Sequence, residues 1–165
     1  MDLFERIIFR PASPNDLSLL RHWDEQPHVI AAGADDWEWE AELPKSPTWR
    51  EQLIAELDGR PIGFVQIIDP HEEESHYWGE VAPNLRAIDI WIGEVSDLGQ
   101  GYGTIMMQKA IARCFAAPEV NAILIDPLQR NTRAHKFYQK LGFRFVEERN
   151  FGEDGCFVYS LDRKG

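Results

Sequence analysis

The stretch Asp97-Leu98-Gly99-Gln100-Gly101-Tyr102-Gly103-Thr104 decides how this chain is read, because an amphipathic helix follows it at once. With no Cβ at Gly99, Gly101 and Gly103, the backbone can turn tightly and come close to a ligand. The N–H groups left unpaired at the helix start, with the positive end of the helix dipole, favour a bound phosphate or pyrophosphate. A plain turn leading into a helix is the competing reading. The Lys-Ser/Thr pair of a P-loop is missing, since Gly103 is followed by Thr104-Ile105. A dinucleotide fold would place its glycines after the first strand of the domain, and here they fall past the middle of the chain.

Composition bounds the answer further. At 165 residues, 44% hydrophobic and 27% charged, the chain reads as one globular domain over 1–165 with a proper core. No apolar run is long enough to span a membrane. Met1 to Arg6 has neither the basic nor the apolar segment of a signal peptide, so a cytoplasmic location is expected. Cys114 and Cys156 lack metal-ligand spacing and are expected to be reduced core thiols. The net charge of −11 is unevenly spread: residues 1–99 carry 7 Lys and Arg against 21 Asp and Glu, and residues 100–165 carry 10 against 7. An enzyme joining an anionic cofactor to a cationic acceptor would have this balance; a surface kept soluble by acids is the alternative. Nucleic acid is not expected as a partner, because phosphate backbones call for Lys and Arg.

Pattern places the elements. Phe4 to Arg10 reads as a first strand, and Ser13-Pro14-Asn15-Asp16 opens a helix to about Glu25 with Leu17, Leu20 and Trp23 inward. Residues 27–48, including Asp35-Asp36-Trp37-Glu38-Trp39-Glu40, form a long irregular connection of the kind that often binds a ligand. Two runs flanking Asp58-Gly59-Arg60-Pro61 predict a hairpin. A polar loop covers 69–85, and Arg86 to Gly93 is the next strand, feeding the glycine loop. The helix beyond it should bury Ile105, Met107, Ala110, Ile111, Cys114 and Phe115. Val120 to Asp126 is a strand, Asn131 to Lys140 a helix stopped by Gly142, and residues 143–149 and 156–161 a last hairpin. The order β-α-β-β-β-α-β-α-β-β predicts an α/β (mixed α+β) domain, with one mixed sheet and helices on both faces.

Two of these stretches resemble the GNAT superfamily of acetyl-CoA-dependent N-acetyltransferases. Leu98-Gly99-Gln100-Gly101-Tyr102-Gly103-Thr104 is similar to its pyrophosphate loop. Asn131-Thr132-Arg133-Ala134-His135-Lys136-Phe137-Tyr138-Gln139-Lys140-Leu141-Gly142-Phe143 is similar to its N-x-x-A-x-x-F/Y-Y-x-K-x-G-F element. Leu98 departs from the Gln or Arg of many members, where the main-chain donors do the binding. The run from Pro83 to Phe143, with Arg86-Ala87-Ile88-Asp89 and Asp126-Pro127, looks like aminoglycoside 6'-N-acetyltransferases, more loosely also the hairpin at 58–63 and the aromatic loop at Tyr77-Trp78; the loop at 27–48 matches poorly.

The resemblance implies a GNAT fold with a mostly antiparallel sheet, acetyl-CoA as donor, a cationic amine as acceptor, and direct attack with both substrates held together. It assigns Leu98 to Thr104, Asn131, Tyr138 and the strand backbone of Trp91, Ile92 and Gly93 to coenzyme A. Asp89 is implied as the acceptor-facing base or ammonium anchor; an edge residue paired to Arg86 is the bland alternative. Asp126 is implied as a second acceptor contact, against a simple Asp-Pro turn. Glu74 and Trp78 would complete that pocket, against a solvated acid run and a packing aromatic. Tyr138 is implied as the acid protonating the sulfur, against a core tyrosine. His22, His28, His71, His76 and His135 are scattered without metal spacing, so no metal is expected. The acceptor is open between an aminoglycoside and another amine (a polyamine, a siderophore precursor or a protein N-terminus). A catalytically idle coenzyme A-binding module is the reading from another class, and oligomeric state is left open.

Overall fold

A computed structural model describes residues 1–34 and 37–164. In chain order its elements are α1 (Leu3–Arg6), β1 (Ile7–Pro11), α2 (Leu17–Asp24), α3 (Pro27–Ala31), α4 (Trp39–Glu42), β2 (Arg50–Leu57), β3 (Arg60–Ile68) and β4 (Leu85–Ile92). Then follow α5 (Tyr102–Phe115), β5 (Ala122–Ile125), α6 (Thr132–Lys140), β6 (Arg144–Phe151) and β7 (Asp154–Asp162). The seven strands lie in the order β1-β2-β3-β4-β5-β7-β6, with β4 and β5 parallel and the flanking pairs β1/β2, β5/β7 and β7/β6 antiparallel. The mixed, mostly antiparallel sheet expected from the sequence is therefore present. The chain divides into two compact units, one of residues 1–66 and 90–107, the other of residues 67–89 and 108–165.

In the first unit, the expected first strand is shortened. Asp2 accepts a hydrogen bond from the Glu5 N–H and caps one helical turn, so Phe4 to Arg6 are helical and the strand starts at Ile7. Ser13 and Asp16 form a capping box around the 3₁₀ turn Pro14–Asp16, which starts α2 as predicted, with Leu20 and Trp23 fully buried. The hairpin turn is the two residues Asp58 and Gly59, both at positive φ (51° and 84°), the type I′ geometry that joins twisted strands.

The connection 27–48 contributes to the core. Trp39 is buried, Trp37 stacks on it at 5.5 Å, and both meet Phe64 and Trp91 in a cluster with Leu20, Trp23, Val29, Leu43 and Ile54. Aperiodic spacing concealed this in the sequence. Asp35 and Asp36 lie outside the described residues.

In the second unit, β5 is four residues rather than seven, because Val120 closes a turn onto the Ala117 carbonyl and Asn121 donates to the Asn84 carbonyl. The last hairpin is longer than expected, β6 running to Phe151 opposite Asp154. Along α5, of which residues 102–107 belong to the first unit, the buried residues are Met106, Met107, Ala110 and Cys114; the apolar stripe is centred one residue from the expected one, and Ile105, Ile111 and Phe115 are only half-buried. Both cysteines are buried, and neither is in a disulfide.

Candidate active site

Asp89 and Asp126 are brought together by parallel pairing. β4 and β5 run in the register Leu85↔Ala122, Arg86↔Ile123, Ala87↔Leu124. Continued by two positions, that register aligns Asp89, inside β4 between Ile88 and Ile90, with Asp126, just past the end of β5. Part of Asp126 remains accessible, but its surroundings strip most of the water from the carboxylate. That desolvation, and then the like charge of Asp89, raise its pKa far above the ordinary carboxylate range. A hydrogen bond from Tyr77 and the charge of Arg149 act the other way. Arg86, the alternative partner for Asp89, lies 3.4 Å from Asp69.

Tyr138 is buried on α6, edge-on to Phe137 and Phe143 at 5.2 and 5.7 Å. Burial first, then the charges of Asp89 and Asp126, raise its pKa, so the phenol stays protonated. A core position and proximity to both carboxylates therefore hold together. Asn131 caps the same helix, its side chain accepting from the Ala134 N–H at 3.2 Å.

The polar loop before β4 is tightly ordered. Glu73, a buried acid, accepts from the Ser75 N–H and hydroxyl and from the Tyr77 N–H. Tyr77 then reaches Asp126, its hydroxyl donating to Oδ2 at 2.6 Å. Trp78 is buried, edge-on to Phe151 at 5.1 Å, while Glu74 is exposed. Arg149 Nη2 donates to the Trp78 carbonyl at 2.8 Å, tying this loop to β6.

The glycine loop belongs to the first unit. A 3₁₀ turn, Val95–Asp97, precedes it, and Gly99 and Gly101 take φ of 73° and 83°. Open space lies where a Cβ would project at both, so a ligand can approach the backbone there. Gly103, by contrast, is already the second residue of α5, and positive φ is confined to the first two glycines. The first N–H groups of this 14-residue helix have no partner within it. Buried Asp97 receives both Nη atoms of Arg60, at 2.8 and 3.1 Å. A bidentate pair fixes direction as well as distance, so Arg60 anchors the loop's first residue. On the resemblance's assignment of this loop to coenzyme A, Arg60→Ala is expected to raise the KM for that donor about ten-fold by loosening the anchor, with kcat within a factor of about two. Steady-state kinetics at saturating acceptor check this, and an unchanged KM overturns it.

Residues 13–151 match the Acetyltransferase (GNAT) domain family. The chain belongs to that family. An aminoglycoside N(6')-acetyltransferase type 1 of Klebsiella pneumoniae is 29% identical over 153 residues, covering 84% of this chain and 74% of that protein. The lysine N-acyltransferase MbtK of Mycobacterium tuberculosis is 25% identical over 166 residues, 93% of this chain and 76% of that one. Among solved structures, the aminoglycoside acetyltransferase AAC(6')-Ib in complex with coenzyme A and kanamycin matches with a TM-score of 0.84 at 27% identity, over 95% of each chain.

As a GNAT protein the chain is an N-acetyltransferase. Its strand segment Trp91 to Gly93 is more engaged than the sequence implied. Trp91 is buried in the aromatic cluster, the Ile92 carbonyl lies 2.7 Å from His28 Nε2, and the Gly93 N–H donates to the Ile62 carbonyl at 3.0 Å. Three other histidines also have local side-chain contacts: His22 with Glu94, His71 with the Val81 carbonyl and His135 with the Gln129 carbonyl. Among the described residues no group of three or more His, Cys, Asp or Glu is placed to hold a metal, and no helix is long and apolar enough to cross a membrane. The GNAT resemblance left Arg60, Tyr77, Arg149 and Phe151 unassigned. Arg60 and Tyr77 lie in stretches the resemblance covers loosely, but their partners Asp97 and Asp126 are brought near only by the fold.

Proposed function

We propose that the protein transfers an acetyl group from acetyl-CoA to a primary amine of a cationic small molecule, foremost the 6'-amine of an aminoglycoside. The observation that carries this is the pairing of Asp89 with Asp126, with Tyr138 within reach of both charges. Family membership and the relatives named as aminoglycoside acetyltransferases support it. The open backbone at Gly99 and Gly101 suits a pyrophosphate, so residues 98–104 would hold acetyl-CoA, with Asn131 and the 91–93 backbone as further contacts. Acetyl-CoA supplies an activated acyl group and a thiol leaving group.

The chain's own residues then have three tasks. An alkyl amine arrives protonated, its pKa near ~10.4, and two carboxylates in a dehydrated setting attract that cation strongly. Once the ammonium is bound, the same pair accepts its proton, directly or through water, and frees the nitrogen lone pair for attack. Tyr138 donates its O–H to the departing sulfur. The ammonium cancels part of the field that raises the Tyr138 pKa, so acceptor binding itself makes the phenol a better donor. Tyr138→Phe is therefore expected to lower kcat about 10²-fold with little change in acceptor KM. Single-turnover rates check it, and a kcat within two-fold of the parent overturns the assignment.

A second acceptor, a lysine-type amine, is favoured by the relatives named as lysine N-acyltransferases and by the poorly matching 27–48 connection. Thiol release from acetyl-CoA with kanamycin, tobramycin, spermidine and lysine in parallel separates the two. Release with the aminoglycosides supports the first reading, release with lysine alone transfers the site to the second, and silence with every amine overturns both.

A further inference from the structure

We propose that Tyr77 is a positioning residue for acetyl transfer, whose hydroxyl orients Asp126 and supports its charge beside Asp89. The inference rests on the acetyl-transfer reading of the two carboxylates. It starts from an oddity: Tyr77 is 47% exposed, yet its hydroxyl is committed to Asp126 Oδ2 at 2.6 Å. An exposed phenol is normally hydrated and free to rotate. This one is constrained at every part of the residue.

Its backbone N–H donates to Glu73 Oε1 at 2.9 Å, and Glu73 is held in the loop by the N–H and hydroxyl of Ser75. Its ring stacks face to face on Phe151, centroids 4.5 Å apart and planes within 5°. Trp78 meets both rings edge-on, at 5.9 and 5.1 Å. Phe151 in turn lies under the Arg149 guanidinium at 5.0 Å, and Arg149 also bonds the Trp78 carbonyl. A buried acid, a stacked aromatic pair and an arginine brace thus converge on the direction of one O–H group.

The length of that bond fits a charge-assisted O–H···O⁻ contact. Its importance follows from what else Asp126 faces. Asp89 on β4 opposes the charge, while Tyr138 on α6 and Cys156 on β7 feel it: both have raised pKa values, Cys156 to about 11. Arg149 on β6 supports the charge through space, and Tyr77 supports it by direct donation. Without the phenol, burial and Asp89 would act on Asp126 with less opposition. The carboxylate would hold its proton to higher pH and rotate more freely.

The test is Tyr77→Phe, which keeps the ring, the stack on Phe151 and the backbone bond to Glu73 while deleting the O–H. Carboxyl ¹³C shifts of Asp126, followed against pH in aspartate-labelled protein without substrate, should show a midpoint raised by about one unit. The low-pH limb of kcat/KM should move up by the same amount. At pH 6 the variant should then be about ten-fold slower than the parent, and at pH 8.5 within about three-fold. Phe151→Leu, which keeps the hydroxyl but removes its support, should move the midpoint in the same direction by less. An Asp126 midpoint unchanged in Tyr77→Phe, with any loss of rate uniform across pH, overturns the proposal. The NMR titration needs no acceptor, so its outcome stays separate from failure of the parent protein to acetylate any amine, which overturns the transfer reading instead.

Discussion

Asp89→Asn is expected to lower kcat/KM by about 10²–10⁴-fold while making the protein more stable above neutral pH. The two effects have opposite signs because they come from the same charge. Asp89 helps attract the ammonium and accept its proton, so deleting the charge removes both. In the unliganded protein that charge opposes ionisation of Asp126, whose pKa is pushed up to about 7 by burial and by Asp89. The folded state therefore binds a proton more tightly than the unfolded chain from the ordinary carboxylate range up to about 7, and stability falls as pH rises through that window. With asparagine at position 89, Asp126 returns toward its usual value. The loss of stability shrinks, and the residual activity should have its low-pH limb at lower pH. Thermal melts at pH 5 and 8, with a pH–rate profile, check all of this. A variant that is slower and also less stable at pH 8 would mark Asp89 as a structural residue.

Asp89→Asn and Tyr77→Phe should thus displace the same limb in opposite directions. Removing a like charge lowers the Asp126 pKa, whereas removing a donor raises it. A protein whose two carboxylates were unrelated surface acids would show neither displacement.

What the sequence made legible follows the range of the interactions. The glycine loop, the Asn131 cap and the Asp58-Gly59 turn depend on a few neighbouring residues, and each is found where local chemistry places it. Asp89, inside a strand, and Asp126, at the end of the next, were each picked out singly by the family resemblance. Their partnership needed the parallel register of β4 on β5, which no local pattern encodes. Tyr77 was harder, because its bond to Asp126 spans 49 positions and depends on a loop shaped by buried Glu73. Arg60 on Asp97 is a similar case across 37 positions. The core role of the tryptophans in the 27–48 connection was hidden for another reason. Trp37 and Trp39 lie two apart, as on a strand, and enter the core from a short helix and the residues just before it. Their strand-like alternation does not match the helical turn that carries Trp39 into the core.

Gly93→Ala is expected to destabilise the protein by about 3 kcal/mol or more, toward the upper end of overpacking penalties, although the segment reads as a cofactor-facing strand end. Its φ is not among the positive values, so alanine meets no backbone objection. Space is the objection. A Cβ on Gly93 would lie 2.0–2.3 Å from three atoms of the Trp23 indole, which is fully buried in the aromatic core. Trp23 has little freedom to withdraw, since its Nε1 donates to Glu94 at 3.1 Å and Glu94 is also bound by His22. The backbone has equally little, because the Gly93 N–H is paired to Ile62. For a chain of this length the loss corresponds to a fall in Tm of about 6–12 °C, measurable by calorimetry. Trp23→Phe should restore much of it: the smaller ring vacates the clash, so the double variant should melt well above the sum of the two single losses. A Gly93→Ala protein melting within 2 °C of the parent would show that Trp23 can yield. Glycine at this position would then be a requirement of the ligand rather than of the core. If the penalty is as large as the contact distances imply, the core dictates Gly93, and the bare backbone that a cofactor could use at this strand end is a consequence of how Trp23 packs.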